Sequence, residues 1–326
     1  MMIRLSDTTS CTFDCQPWGG SLPRSAAAAL LVPNRPAARL CHARHTNGVT
    51  NAEPACGRPR LASSDLAPYR EYRMITFSLQ SGSNGNSIYV EAGDIRLLFD
   101  AGISGTQASM RMAKRGREIR DCQAVIISHD HADHVRCAGI FHRKFGLPIY
   151  LTDRTYRASR GLLGTVSDVR RFVAGESITF GDVEVQTIPT PHDGVEPVCF
   201  VVAHRGRKLG ILTDLGHPFR GLDEALGEMH AAYLESNYDR EMLINGSYPE
   251  ELKQRIMGSH GHLSNDESAE LAERHVNGRL EWLALAHLSA ENNEPALALA
   301  AHRSRVGKLL PLYHASRYEV SEVFEL

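Results

Sequence analysis

From Met74 onward the chain alternates apolar and polar positions. Met74-Ile-Thr-Phe-Ser-Leu79 has the two-residue period of a half-buried strand, and a turn rich in glycine, serine and asparagine separates it from Ser87-Ile-Tyr-Val90. The same reading predicts strands at Ile75–Leu79, Ser87–Glu91, Arg96–Asp100, Ala124–Ile127, Ser177–Phe180, Val183–Ile188, Val198–Ala203, Leu209–Thr213, Trp282–Ala286 and Leu309–Tyr313. Helical spacing predicts helices near Gln107–Arg115, His134–Phe145, Pro218–Met229, Pro249–Met257, Asn265–His275 and Glu294–Arg303. Strand runs mixed with helices in both halves predict an α+β fold, two sheets packed together and covered by helices.

Residues 1–73 carry no such pattern. They hold seven of the 15 prolines, nine arginines and no lysine, a composition that does not build a core. This stretch is therefore expected to be a disordered leader, or to lie upstream of a true start at Met74, with the globular domain over 74–326. The apolar run Ala26–Val32 is cut by Pro33, and no run approaches the ~20 residues needed to span a bilayer, so no membrane association is expected. Cys11, Cys15 and Cys41 with His42 match no common zinc-finger spacing, and Cys56 stands apart. Cys122, Cys137 and Cys199 are scattered beside apolar residues, the pattern of buried thiols in a reducing compartment, so the expected location is the cytoplasm.

The chemistry concentrates where strands end. Straight after Ala124-Val-Ile-Ile127 come Ser128-His129-Asp130-His131-Ala132-Asp133-His134. In an extended stretch side chains i and i+2 share a side, so His129 and His131 can hold one cation. Asp133 and His134, at the turn into a helix, aim elsewhere, at a second. Further along, Thr190 is followed by Pro191-His192-Asp193-Gly194, Thr213 by Asp214, Ala286 by His287, and Phe99 by Asp100-Ala-Gly102. Polar groups gathered at one edge of a sheet sandwich build a shared site.

This order of motifs resembles the metallo-β-lactamase fold superfamily over nearly all of 74–326. The resemblance implies an αββα four-layer sandwich with two divalent metal ions. Metal one would sit on His129, His131 and His192, and metal two on Asp133, His134 and His287, with Asp214 bridging. Asp100 would support the site without ligating. A nitrogen and oxygen set without cysteine suits Zn²⁺ or Mn²⁺, with Fe also compatible. Two such ions hold a bridging hydroxide and stabilise attacking and leaving oxygens, which fits a phosphodiester.

Other stretches bear on the substrate. Ser81-Gly-Ser-Asn-Gly-Asn86 has glycines that let backbone N–H groups approach an anion, making Ser83, Asn84 and Asn86 candidate phosphate contacts. In Gly258-Ser-His-Gly-His-Leu-Ser-Asn265, Ser264 and Glu267 have capping-box spacing, and Ser259 and His262 would lie just outside the helix N-terminus, where an anion is favoured. His262 is a candidate phosphate contact or proton donor, and with Asp133 a candidate catalytic residue. His217 and His314 follow strand ends as weaker supporting candidates. With Leu234-Glu-Ser-Asn237-Tyr-Asp239 and His287-Leu-Ser-Ala-Glu-Asn-Asn293, these motifs resemble the YycJ/WalJ/VicX branch of the superfamily. That resemblance implies a 5′-to-3′ exonuclease on double-stranded DNA and a link to a bacterial two-component regulator.

Charge argues the other way. Residues 74–326 hold 27 Lys+Arg against 33 Asp+Glu, net −6, whereas polyanion binders carry a basic footprint. Two bound dications add four positive charges at the site itself. Arg154, Arg157 and Arg160 have helical spacing and form a candidate phosphate track. The competing readings are a small-molecule hydrolase on the same centre, a thioesterase or lactonase, and a non-catalytic regulatory partner.

Overall fold

The computed structural model describes residues 73–326; the leader, its apolar run and its cysteines lie outside the described residues. The strands are β1 (Met74–Gln80), β2 (Ser87–Ala92), β3 (Ile95–Phe99), β4 (Ala124–Ile126), β5 (Ile149–Thr152), β6 (Val169–Phe172), β7 (Ser177–Phe180), β8 (Val183–Pro189), β9 (Val198–His204), β10 (Arg207–Leu212), β11 (Ala231–Glu235), β12 (Trp282–Ala286), β13 (Leu312–His314) and β14 (Phe324–Glu325). They form two seven-stranded sheets, ordered β14-β1-β2-β3-β4-β5-β6 and β13-β12-β11-β10-β9-β8-β7. The helices are α1 (Gly105–Lys114), α2 (Ala132–Val135), α3 (Ala138–Phe145), α4 (Asp153–Leu163), α5 (Arg220–Glu228), α6 (Arg240–Asn245), α7 (Glu250–Met257), α8 (Asn265–His275) and α9 (Pro295–Val306).

Side-chain alternation turns these strands into layers. In β3, Leu97 and Phe99 face the second sheet while Leu98 faces helices; in β4, Ala124 and Ile126 face inward and Val125 outward. The inner core joins both sheets, with Phe99 packed against Phe200 in a tilted arrangement at a centroid distance of 5.1 Å. A second core packs Phe77, Leu98 and Val125 under Ala108, Met112 and Phe141 of α1 and α3. A third packs Val201, Leu212 and Leu234 under Leu222, Leu226 and Leu271 of α5 and α8. Three cores between four layers make an αββα sandwich, as expected from the sequence. No described helix is long and apolar enough to cross a membrane.

Strands β5, β6 and β11 and helices α4 and α6 were not among the expected elements, and one expected element is divided. The single helix expected over His134–Phe145 is two, α2 and α3, broken at Arg136 and Cys137. The Cys137 N–H is drawn to the Ala101 carbonyl at 2.9 Å, so the turn after β3 takes a donor that a continuous helix would need.

β4 runs parallel to β3, and β10, β11 and β12 run parallel to one another. β8 and β10 are each antiparallel to β9, so they share a direction. The carboxyl ends of β3, β4, β8, β10, β11 and β12 therefore open on one edge of the sandwich, where ligands bind in open α/β sheets.

Candidate metal centre

Six strand ends deliver the polar side chains. Asp100, Asp214 and His287 each sit one or two residues past a strand with φ of 63°, 60° and 55°, the left-handed region that non-glycine residues avoid unless the surroundings impose it. That turn swings each side chain off the sheet and over its edge. The loop after β4 is fixed from two sides. Asn86 N–H donates to the Asp133 carbonyl at 2.8 Å, and Ala101 N–H to that of His134 at 2.7 Å. Gly102 packs so closely that a Cβ there would lie 1.6 Å from the Asp133 carbonyl oxygen.

Donor atoms converge in overlapping groups, each within 4.8 Å: His129, His131 and His192; Asp133, His134 and His287; His129, His134 and Asp214; and Asp214, Glu235, His262 and His287. Asp214 belongs to two groups and lies between the first pair.

The imidazoles are oriented one by one. His134 Nδ1 donates to Asp100 Oδ2 at 2.8 Å. Ser128 Oγ donates to the same oxygen at 3.0 Å, and therefore accepts from His129 Nδ1 at 2.9 Å. His192 Nδ1 donates to the Gly261 carbonyl at 2.8 Å, and His287 Nδ1 to Glu235 Oε1 at 3.1 Å. All four rings thereby turn Nε2 toward the shared donor cluster, where His134 Nε2 also meets Asn86 Nδ2 at 3.0 Å. His131 is reversed: its Nε2 faces Asp193 Oδ1 at 3.3 Å and its Nδ1 faces His192 Nε2 at 3.3 Å. Outer partners that fix ring tautomers are what a metal site requires.

Within this centre two buried atoms make no hydrogen bond, His129 Nε2 and Asp214 Oδ2, the latter 3.3 Å from His134 Nε2. Both aim at the region the other donors surround. An orphaned buried imidazole nitrogen and carboxylate oxygen are costly in a folded protein, and a cation between them removes the cost. The residues present therefore fit divalent metal.

The protonation of the cluster shows the same demand. Burial would push the Asp133 and Asp214 carboxyls up, but His134 and His287 hold both well below the usual carboxylate range. Burial opposes charge on His134 and His287 too; the carboxylates overcome it, Asp214 foremost, raising His134 well above the usual imidazole value and His287 to about 10. His129, fully buried and beside His134, is pushed down instead. Clustered carboxylates keep protons where a cation would displace them.

Around this centre lies a cleft of about 220 Å³, lined by His131, Asp133, His192, Asp214, His262 and His287 and walled by Ser83, Tyr248, Ser289, Leu252, Arg255 and Ile256. A larger hollow of about 670 Å³ opens at the opposite strand ends among Arg96, Arg117, Glu91 and Asp182. Its charges neutralise one another, Arg117 on Glu91 at 2.5 Å for example, and it gathers no ligand set.

Several sequence expectations for substrate contacts change. Asn86 is buried and spent on bracing: its Nδ2 donates to Asp133 Oδ2 at 3.3 Å and its Oδ1 accepts from Gly82 N–H at 2.9 Å. The N–H groups of Gly82, Gly85 and Asn86 are bonded within the fold, so this loop is a brace rather than an anion cradle. Asn84 turns away to the Arg317 carbonyl; Ser83 alone of the three lines the cleft. The N-terminus of α8 is closed by its capping box of Ser264 and Glu267, and Asn265 N–H goes to the Tyr238 carbonyl at 2.8 Å, so no anion is needed there. Ser259 is exposed and bonds His260 instead of lining the cleft. Arg154 and Arg157 are exposed on α4 away from the lining, and Arg157 pairs with Asp153 at 2.7 Å. His217 and His314 do not line it either.

His262 does. Its Nδ1 is held by Glu235 Oε1 at 2.8 Å, leaving Nε2 toward the cleft. Glu235 was missed in the sequence, as were Ser128, Asp193 and Arg255. Glu235 is fully buried, accepts from Leu215 N–H at 2.9 Å, and is held down to about 2, His262 offsetting the upward push of burial. It stands at the end of β11, the position that marks Asp214 and His287 on their own strands.

A model of the metallo-β-lactamase superfamily matches residues 81–262. The chain belongs to the metallo-β-lactamase superfamily. Among its relatives is a protein named exodeoxyribonuclease YycJ from Bacillus anthracis, 33% identical over 250 residues, covering 76% of this chain and 92% of the relative. Another, named exodeoxyribonuclease WalJ, from Streptococcus pneumoniae serotype 2 strain D39, is 35% identical over 235 residues, covering 71% and 86%. These place the chain with the YycJ/WalJ-like branch. Among solved structures, the metallo-β-lactamase fold protein YhfI from Bacillus subtilis superposes with a TM-score of 0.61 at 17% identity, covering 78% of this chain and 99% of that one, a likeness of fold.

Proposed function

We propose that this chain is a dinuclear metal-dependent exodeoxyribonuclease that removes nucleotides from the 5′ end of duplex DNA in the cytoplasm. The observation that carries the reading is the pair of donor groups, His129–His131–His192 and Asp133–His134–His287, with Asp214 between them at the floor of the cleft. Two relatives across most of the chain bear exodeoxyribonuclease names. The donors are nitrogen and oxygen only, suiting Zn²⁺, Mn²⁺ or Fe. The cytoplasmic assignment draws on Cys122, Cys137 and Cys199, all buried and free.

Two such ions supply Lewis-acid activation of water and charge stabilisation at a phosphodiester. The chain's own residues do the rest. Asp100, Ser128, Asp193 and Glu235 hold the imidazoles in one orientation. His262, fixed through Nδ1 by Glu235, is placed to pass a proton from Nε2 to the leaving oxygen. Asp133 lies in the cleft beside His134 and His287, the second candidate for handling a proton. Arg255, at the cleft wall and paired with Asp193 Oδ2, is placed to meet a phosphate.

The decisive experiment incubates the full-length protein with Mn²⁺ or Zn²⁺ and linear duplex DNA labelled at one 5′ end, with closed circular DNA and the His131→Ala and Asp214→Ala proteins as controls. Labelled nucleotide released from linear DNA by the wild type alone supports the reading. Metal-loaded protein that releases nothing shifts it to a small-molecule hydrolase, which the net charge of −6 over 74–326 favours. The two-component link implied by the branch is tested separately, by whether deleting the gene alters that regulator's output.

A further inference from the structure

We propose that Arg317, packed against Gly82 in the loop that sends Ser83 into the cleft, binds the terminal phosphate of a nucleic-acid strand. The proposal rests on the nuclease reading and adds to it how the enzyme recognises an end.

Arg317 differs from the other arginines packed nearby. Arg111 donates to the Leu79 carbonyl at 3.0 Å, Arg115 to that of Ser321 at 2.7 Å, Arg136 to that of Gly102 at 2.7 Å, and Arg255 is on Asp193. The Arg317 guanidinium makes no hydrogen bond and no ion pair among the described residues, and its Nη1 is buried without a partner. It lies over the ring of Tyr318 at 5.7 Å, and the Tyr248 phenol is the other group that acts on its charge. Burial also opposes its charge, with no carboxylate to restore it. A half-buried guanidinium with one nitrogen shut off from water and no anion beside it is destabilised, so a place of this kind is held for a ligand that brings one.

The surroundings identify that ligand. Arg317 Nη2 lies 3.3 Å from where a Gly82 side chain would begin, and the missing Cβ at φ +151° leaves it room. Ser83, the next residue, lines the cleft with Tyr248 and Ser289. Ser81 Oγ accepts from His287 N–H at 2.9 Å, which ties this wall to the Asp133–His134–His287 side of the centre. A strand with its scissile diester at Asp214 would send its neighbouring phosphate toward Ser83, Tyr248 and Arg317. A guanidinium fork matches a phosphate, and a terminal phosphomonoester carries about −1.5 to −2 against a single charge on an internal diester. The subsite would therefore favour phosphorylated ends over hydroxyl ends and over internal linkages.

The test uses metal-loaded full-length protein and one linear duplex prepared with 5′-phosphate, 3′-phosphate or hydroxyl ends. Initial rates give KM and kcat, and fluorescence anisotropy gives binding to phosphorothioate copies that resist cleavage. One phosphorylated end is expected to bind about tenfold or more tightly than its hydroxyl counterpart, the size of a charge-assisted hydrogen bond. Which end is favoured assigns the phosphate as 5′ or 3′. In Arg317→Gln that ratio collapses toward one, through KM; Arg317→Lys keeps part of it. Wild-type protein that binds and cuts DNA without regard to the end, or an Arg317→Gln protein that keeps the full ratio, overturns the subsite alone. Wild-type protein that neither binds nor cuts any of the DNAs overturns the nuclease reading and the subsite with it.

Discussion

Asp100 and His129 are joined through a single hydroxyl. Ser128 Oγ accepts from His129 Nδ1 at 2.9 Å and donates to Asp100 Oδ2 at 3.0 Å, the same oxygen that receives His134 Nδ1 at 2.8 Å. One carboxylate thus orients an imidazole from each of the two proposed metal positions.

Asp100→Asn should therefore weaken both metals together. Loss of such an outer partner typically costs about 10–100-fold in metal affinity. Competition with a chelator, read as bound metal per chain, measures it. A variant that loses one metal and holds the other at wild-type affinity would show that the shared carboxylate does not couple the positions.

His262 is held by Glu235 but belongs to neither of the two three-histidine or mixed triads assigned to metal. His262→Ala is expected to retain two metals and lose about 10²–10⁴-fold in kcat, the range for a positioned acid–base group. Glu235→Gln should lose metal affinity as well, because Glu235 also orients His287 at 3.1 Å. Metal content and steady-state kinetics on both variants separate the two. Unchanged kcat in His262→Ala would leave that histidine only a loop brace.

Much of this centre could be read in the sequence because ligands follow apolar strand runs, and β4, β8, β10 and β12 each announce themselves by such a run. Glu235 was hidden because β11 is buried on every residue, so Ala231-Ala-Tyr-Leu234 shows neither alternation nor length. The strands β5 and β6 were hidden by their length of four residues each, and the helix α4 between them carries the exposed Arg154 and Arg157 out of reach. The phosphate contacts expected of Asn86 and Ser259 failed on a different ground. Glycine-rich loops and helix N-termini attract anions only while their N–H groups are free, and here the Asp133 and Tyr238 carbonyls, the Asn86 amide and a capping box take them. Spacing along the chain does not reveal which partner a donor finds.

Gly102 is a place where close approach excludes a side chain. Gly102→Ala would set a Cβ 1.6 Å from the Asp133 carbonyl oxygen and 2.6 Å from Asn86 N, both backbone atoms with no rotamer to yield. The β4 loop must then move, and metal binding should fail along with about 1–3 kcal/mol of stability, as in overpacked cores. Thermal unfolding with and without metal checks this: metal should raise the wild-type midpoint and leave that of Gly102→Ala unmoved.

His302 gives a pH dependence away from the metal centre. On α9 it is fully buried, donates through Nδ1 to the Ala298 carbonyl at 2.9 Å and faces Ser268 Oγ through Nε2 at 3.0 Å, so the neutral ring has both partners. Burial pushes its pKa down to about 4, against ~6.5 in an unfolded chain. Between these values the unfolded chain binds the proton and the folded one does not. Stability from this group is therefore complete above about pH 6.5, falls as pH drops toward 4, and levels off below it. The full span corresponds to about 3 kcal/mol. Urea unfolding of the wild type and His302→Gln at matched pH isolates the group. The variant should be the less stable at pH 7, where its packing is poorer, and the gap should narrow as pH falls through this window. A gap that stays constant from pH 7 to pH 4 would mean that His302 titrates alike in both states.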